Sequence, residues 1–345
     1  MSKKIWRGGM IGAGAWSDIQ LRAWAGVENA EIVALCDRHP ERRDPLAEQF
    51  KIPQMFDDFE TMLNQADLDF VDICTRPYSH SALTKLAAKR GLPVLCQKPF
   101  CENLAEAQEV VEYCRQNSVP LMVNENFRWQ AWFRQAKEVL ESGALGQPFF
   151  ARIHRRNRLT LPEFDHRQSY FVEMPRLVVY EMGTHYLDTF RYLFGEPDSL
   201  FARLHHVSPY VVGEDVQLLT LSYPGLTALI NHSWASVPVP GLDDSEEKPG
   251  VASPRLEIDG TAGTLTLNCD GSMHLYTDTA HQEWQFSADT GPKSHIAAQQ
   301  HFIDCLESGA EFETSGAETL KTMALVYAAY HSAAEAIPVE STYLL

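Results

Sequence analysis

The stretch Met10-Ile-Gly-Ala-Gly-Ala-Trp-Ser17 confines this chain more than any other. An apolar run, Gly9 to Ile11, meets a turn with two glycines one residue apart. A helix-like stretch, Asp18 to Ala25, follows. Then comes a β-rich run, Glu31-Ile-Val-Ala-Leu-Cys36, with Asp37 directly after it. Strand, glycine turn, helix and acid-tipped strand form the layout of a dinucleotide-binding unit. Gly12 allows the sharp turn. Gly14 removes a side chain where a pyrophosphate would approach. The helix start, Ala15 and Trp16, offers N–H groups and a positive dipole end to that phosphate. Ser17 takes the third glycine position and is small enough for close helix–strand packing. Asp37 lies at the distance needed to accept from the adenosine ribose.

The first third continues to alternate. Strands are expected at Gly9–Ile11, Ile32–Cys36, Phe70–Cys74, Val94–Cys96 and Leu121–Asn124. Helices are expected at Asp18–Ala25, Pro40–Phe50, Asp58–Asn64, Ser81–Arg90 and Leu104–Asn117. That order predicts a doubly wound parallel sheet with right-handed crossovers, a Rossmann domain over residues 1–125. Ligands in such sheets bind beyond the carboxyl ends of the strands, which singles out Gly12, Asp37, Thr75, Gln97 and Asn124. After residue 125 one helix, Trp132–Ser142, leads into a β-rich half. Its strands are expected at Pro148–His154, Leu200–Val207, Val216–Tyr223, Thr227–Ala235, Arg255–Gly260, Thr264–Cys269, Met273–Thr277 and Glu283–Phe286. Helices are expected at Val178–Phe194, Ala297–Ser308 and Glu318–Ile337. Residues 126–345 therefore read as an α+β domain for substrate binding and oligomerisation, with a large, mainly antiparallel sheet covered by helices on one face. The Pro-, Gly- and acid-rich stretch 236–254 reads as a long loop.

Charge narrows the partners. With 29 Lys plus Arg against 46 Asp plus Glu, the net charge is −17 over 345 residues. Nucleic acid and anionic membranes call for basic patches, so neither is an expected partner. No apolar run reaches the length of a membrane span, and the first strand follows the N-terminus too closely for a signal peptide. Seven cysteines show no zinc-like pairing. They read as buried thiols in a reducing cytoplasm, and no metal site is expected.

Two pieces carry chemistry. In Gln97-Lys98-Pro99, at a strand exit stiffened by proline, the lysine is placed to hydrogen-bond a substrate oxygen and stabilise developing negative charge. The bland alternative is a solvated loop lysine. In Glu181-Met-Gly-Thr-His185, a spacing of four on a helix puts carboxylate and imidazole on one face. The carboxylate would fix the imidazole tautomer and leave the other nitrogen to take a proton. The alternative is an ordinary packed histidine.

Together the pieces resemble the Gfo/Idh/MocA oxidoreductases over nearly the full length. The resemblance rests on Gly12-Ala-Gly14, Thr75-Arg-Pro-Tyr-Ser-His80, Gln97-Lys98-Pro99, Asn126-Phe-Arg128, Glu181…His185, Gly260-Thr-Ala-Gly-Thr264 and the helix around Ala328–Ser332. It implies a nicotinamide cofactor, with further contacts from Arg38, Thr75, Arg76, Pro77, His80, Gln97, Lys98 and Asn126. It implies sugar, polyol or cyclitol substrates and a homodimer or homotetramer built through the C-terminal sheet. Two residues depart from the family. Gln97 stands for a glutamate, which keeps the hydrogen bonds and removes a negative neighbour of Lys98. Glu181 stands for an aspartate, which keeps the charge on a longer arm. Cys96–Phe100 and Glu125–Gln130 are similar to a D-apiose dehydrogenase-like subgroup.

The expected reaction is hydride transfer from a substrate carbon to nicotinamide. His185, oriented by Glu181, is the expected base, and Lys98 polarises the same oxygen. Asp37 favours NAD by accepting from a ribose 2′-hydroxyl, whereas the neighbouring Arg38 keeps NADP as the alternative. Arg128, Arg156 and Tyr180 are candidate substrate contacts, with His154, Arg155 and Tyr170 as weaker ones. Competing readings are a non-catalytic nucleotide-sensing regulator and a redox-neutral NAD-dependent hydrolase or epimerase on the same fold.

Overall fold

Strand β1 (Trp6–Ile11) turns into solvent-free surroundings after its second residue, and the rest of the first unit is arranged around it. The computed structural model describes residues 4–159, 169–237, 255–287 and 289–341. β2 (Ala30–Cys36), β3 (Gln54–Phe56), β4 (Phe70–Ile73), β5 (Val94–Gln97) and β6 (Leu121–Asn124) join it in a parallel sheet ordered β3-β2-β1-β4-β5-β6. Every residue of β4, β5 and β6 is buried, which is why these strands are near-continuous apolar runs. The crossovers are α1 (Ala15–Trp24), α2 (Pro40–Phe50), α3 (Phe59–Gln65), α4 (Pro77–Lys89) and α5 (Leu104–Gln116). Local chemistry sets their starts. Pro40 and Pro77 occupy first helical positions, where no N–H is needed. Asp58 and Asn103 cap α3 and α5 by accepting the Thr61 and Glu106 N–H groups. Strand order reverses between β1 and β4, so Gly12 and Thr75 flank the crevice where such sheets take ligands.

The first unit comprises Met1–Asn126 and also His295–Lys321, whereas the sequence division gave all of 126–345 to the second domain. Specific bonds explain the returning segment. Gln299 Nε2 donates to Gln20 Oε1 at 2.6 Å, Thr314 Oγ1 donates to the Val123 carbonyl at 2.7 Å, and Phe302 packs edge-on against Phe70.

The second unit, Phe127–Ser294 with Thr322–Leu345, is built on a nine-stranded sheet. Its strands are β7 (Pro148–Arg156), β8 (Ser199–His205), β9 (Val216–Tyr223), β10 (Leu226–Ser233), β11 (Arg255–Gly260), β12 (Gly263–Leu267), β13 (Ser272–Thr277), β14 (His281–Gln285) and β15 (Val339–Glu340). They are ordered β14-β13-β12-β11-β7-β10-β9-β8-β15, and every pair is antiparallel except β7 with β10. Alternate residues face a core: Ala151 and Ile153, Leu219 and Leu221, Ala228 and Ile230 are buried with Tyr186, Leu187, Phe190 and Leu193 of helix α7 (Thr184–Phe194). Each fully buried side chain of that size contributes roughly 1.5–3 kcal/mol. On the other face Arg152, Leu218 and Tyr276 stand exposed. α6 (Ala131–Glu141), α8 (Thr290–Ser308) and α9 (Gly316–Glu335) complete the described helices.

The helix expected over Val178–Phe194 is not one α-helix. Val179–Gly183 form a π-turn, and the α-helix starts at Thr184. The short edge strands β3 and β15 were not anticipated. Of the expected loop 236–254, residues 238–254 lie outside the described residues.

Candidate active site

In the first unit the glycine turn is shaped by its neighbour strand. Gly12 has φ +106°, and a Cβ there would lie 2.1 Å from the Cys74 carbonyl oxygen, so only glycine fits. At Gly14 an added Cβ would meet nothing within 4 Å, and Gly14, Ala15 and part of Trp16 face solvent. Gly14 directly precedes α1, and no side chain caps that helix start. An open approach to bare N–H groups at a helix N-terminus fits a phosphate.

Asp37 Oδ2 accepts the Ala13 N–H at 2.8 Å, and Oδ1 accepts the His39 N–H at 2.9 Å. The carboxylate thus ties the end of β2 to the glycine turn. Each oxygen retains a second lone pair for a ribose hydroxyl. Arg38 is exposed, with Nε donating to His39 Nε2 at 3.2 Å. Thr75 and Ser79 share a hydroxyl–hydroxyl bond of 2.7 Å, and Arg76 and Pro77 open α4.

Two expected cofactor contacts are corrected. Ser17 is fully buried, and its hydroxyl turns to Cys74 Sγ at 3.6 Å. It serves helix–strand packing. His80 is also fully buried. Its Nδ1 lies 3.1 and 3.0 Å from the carbonyl oxygens of Pro99 and Phe100, and Nε2 lies 3.1 Å from that of Thr75. Burial pulls this imidazole below its usual range, against the pull of the three carbonyls. His80 therefore straps the loop after β4 to the loop after Lys98 and has no surface to offer a cofactor.

Gln97 ends β5 beside Asn124 of β6, and both are buried. Gln97 Oε1 accepts the Lys98 backbone N–H at 2.9 Å, which fixes the lysine's strand exit. Lys98 itself is partly exposed, and the Lys98–Pro99 bond is cis. Asn126 is buried, with Nδ2 3.4 Å from Nε2 of His295, whose ring meets Trp16 edge-on at 5.7 Å.

In the second unit, His185 begins α7 and is buried. Its ring stacks on Phe127 with centroids 3.9 Å apart and planes within 6°. Glu181 is buried in the π-turn, so the two are not separated by a plain α-helical step. Tyr180 is buried in the same turn. Arg128 departs from its expected place as a substrate contact. Its Nε and Nη2 donate to Asp188 Oδ2 and Oδ1 at 2.8 and 2.7 Å, and the two side chains are 8% and 3% exposed. Asp188 Oδ1 also accepts from Thr322 Oγ1 at 3.1 Å. This is an internal tie between the turn at Phe127–Trp129 and α7. Arg156 Nε donates to Ser236 Oγ at 3.0 Å at the end of β7. On the same strand, burial together with Arg152, Arg156 and Arg255 pushes His154 down to about 4. Tyr170 is partly buried and meets Phe171 edge-on.

Sequence reasoning missed Phe127, Asp188 and His232. His232 is buried on β10, with Nδ1 3.2 Å from Gln217 Nε2, and burial holds it well below the histidine range, with Arg155, His154 and His185 adding to the effect. The sequence signals were Phe127, inside the Asn126-Phe-Arg128 motif, and Asp188, three residues past His185 on the same helix.

Residues 6–125 match the oxidoreductase family with the NAD-binding Rossmann fold, GFO_IDH_MocA, and residues 133–266 match the GFO/IDH/MocA C-terminal domain. The chain is 37% identical over 344 residues to a D-apiose dehydrogenase of Rhizobium rhizogenes, covering 95% of each. It is 36% identical over 352 residues to a D-apiose dehydrogenase of Paraburkholderia graminis, covering 98% of this chain and 90% of the relative. An oxidoreductase from Agrobacterium radiobacter, solved in complex with NAD+, L-tartaric acid and magnesium, matches at TM-score 0.91 and 36% identity over 99% of both chains. Levoglucosan dehydrogenase, solved with NADH and levoglucosan, shares the fold at TM-score 0.83 and 18% identity, over 98% of this chain and 100% of that one.

Proposed function

The chain belongs to the Gfo/Idh/MocA family of NAD-binding oxidoreductases, and on that premise we propose that it oxidises a hydroxyl of a pentose or a related sugar or polyol. The observation that carries this reading is the 36–37% identity, over nearly the whole chain, to two D-apiose dehydrogenases. The open glycine cradle supports it from the chain's own geometry.

NAD, when bound, supplies the acceptor for the electron pair that leaves the substrate carbon. Gly12, Gly14, Ala15 and Trp16 receive its pyrophosphate at the start of α1. Asp37 accepts from the adenosine ribose and repels a 2′-phosphate, so NAD is preferred to NADP, with Arg38 exposed beside it. Thr75, Arg76, Pro77, Gln97 and Asn126 line its further course. Lys98 donates to the substrate oxygen and stabilises the charge that develops there. His185 accepts the hydroxyl proton, with Glu181 setting its tautomer and Phe127 holding its ring plane. Arg156 and Tyr180 contact substrate, whereas Arg128 acts through its bond to Asp188.

The exposed face of the nine-stranded sheet is the surface through which the chain forms a homodimer or homotetramer. All seven cysteines are free thiols, six of them buried, which suits a reducing cytoplasm. Among the described residues no helix is long and apolar enough to cross a membrane.

The test is a substrate panel of pentoses, D-apiose included, with hexoses and inositols, following reduced nicotinamide with NAD+ and with NADP+. Accumulation with a pentose and NAD+ is expected. Product without accumulation would point to a redox-neutral enzyme, and neither to a sensor.

A further inference from the structure

Among the described residues strand β14 is an edge of the nine-stranded sheet and pairs only with β13. In their register His274 lies opposite Glu283, and Tyr276 lies opposite His281. Residues two apart in a strand share a face, so all four stand on the same side of the hairpin. Its turn is closed by the Thr277 N–H donating to the Ala280 carbonyl at 2.9 Å.

His274 Nδ1 and His281 Nε2 are 3.2 Å apart. With a Glu283 carboxylate oxygen, the three ligand atoms all lie within 4.8 Å of one another. Imidazole–metal bonds of about 2.0–2.1 Å around a tetrahedral ion place two nitrogens about 3.3–3.4 Å apart. The imidazole pair is thus already spaced for one ion. The His281 ring is steadied by a parallel stack on Tyr276, with centroids 4.4 Å apart and planes within 3°. The His274 ring stacks on His281 at 5.4 Å. Glu283 is exposed in the single chain, on the edge strand of the sheet face proposed above for oligomer contacts, and has the rotamer freedom to close the remaining distance. None of these residues has a part in the proposed oxidation.

We propose that His274, His281 and Glu283 bind a divalent transition-metal ion of the zinc type. Two imidazoles and a carboxylate fill three positions and leave the fourth to water. Nitrogen donors select such ions over Mg2+ and Ca2+, which take oxygen ligands. The bound ion cross-links the edge strand to its single neighbour and stabilises the hairpin by mass action.

The test is calorimetric titration of the untagged full-length chain with ZnCl2 in chelator-treated buffer. One ion per chain is expected. His281→Ala and His274→Ala should each abolish that uptake. His206→Ala, an exposed histidine outside the hairpin, should leave it intact. Glu283→Gln, a near-isosteric change at an exposed site, should weaken binding with an unchanged circular-dichroism spectrum. Co2+ should give the intense visible bands of a tetrahedral ion in wild type and lose them in His281→Ala. Mg2+ should not compete. The proposal falls if wild type shows no saturable zinc uptake, in which case the two rings are merely hydrogen-bonded. It falls equally if His281→Ala takes up zinc as wild type does.

Discussion

Asp188→Leu removes the carboxylate that receives two Arg128 bonds at 2.7 and 2.8 Å in a site almost closed to solvent. Breaking a buried pair by deleting one partner costs about 3–5 kcal/mol, because the remaining charge loses its counter-charge where water cannot replace it. Arg128→Met should cost no more than that, because Arg191 Nη1 stays 3.8 Å from Asp188 Oδ1 in the same buried site. If the two losses simply added, the double variant would lose up to about 6–10 kcal/mol. Arg128→Met with Asp188→Leu removes both charges and refills the volume, so its loss should stay well below that sum, with a coupling of at least ~2 kcal/mol. Urea denaturation followed by tryptophan fluorescence reads all three, since Trp129 and Trp132 adjoin the pair in sequence. A kinetic consequence accompanies the loss. Phe127 precedes Arg128, and His185 precedes Asp188 by three residues, so the pair also fixes the Phe127–His185 stack. Turnover should fall while NAD affinity holds. Strictly additive single variants would refute the reasoning. So would an Arg128→Met protein of normal stability with only a raised substrate KM, which would make Arg128 a substrate contact.

Gly14→Ala should fold with an unchanged melting temperature, because its Cβ points into open space, yet bind NAD about tenfold or more weakly, as isothermal titration would show. Gly12→Ala should lose stability as well, by about 1–3 kcal/mol for the positive φ alone, with the Cys74 carbonyl clash added. Asp72 is fully buried on β4, its Oδ2 accepting from Trp24 Nε1 at 2.7 Å, and burial raises its carboxyl to about 7. A carboxyl raised above its unfolded value of about 3.9 contributes stability that is complete below that value and lost as pH rises through its folded value. Asp72→Asn removes that dependence and keeps an acceptor for Trp24. Its stability relative to wild type, read as melting temperature, should therefore climb between about pH 4 and about pH 7, by at most about 4 kcal/mol for a shift of about three units. A gap that stays constant with pH would contradict it.

The glycine turn was legible because its requirements are local: a positive φ at Gly12 and a missing side chain at Gly14 show in residue type alone. Parallel strands such as Phe70–Ile73 were legible because burial on both faces leaves an unbroken apolar run. Long-range partnerships were not. Nothing near Arg128 announces Asp188, and nothing in Thr75-Arg-Pro-Tyr-Ser-His80 says that its histidine is spent on three carbonyls. The π-turn at Val179–Gly183 uses the same residue types as an α-helix, so periodicity could not separate them. The return of His295–Lys321 to the first unit depends on Gln299 and Thr314 finding Gln20 and Val123, and amphipathic pattern carries no such address. The metal-ligand cluster was hidden for a similar reason: His274 and Glu283 become neighbours only through strand register.

Single-turnover formation of reduced nicotinamide by Lys98→Ala, with NAD affinity measured on the same sample, tests the proton-handling roles most directly. A rate lower by ~100-fold or more, with NAD affinity near that of wild type, is the expected result. A turnover indistinguishable from wild type would show that the oxidation proceeds without this ammonium.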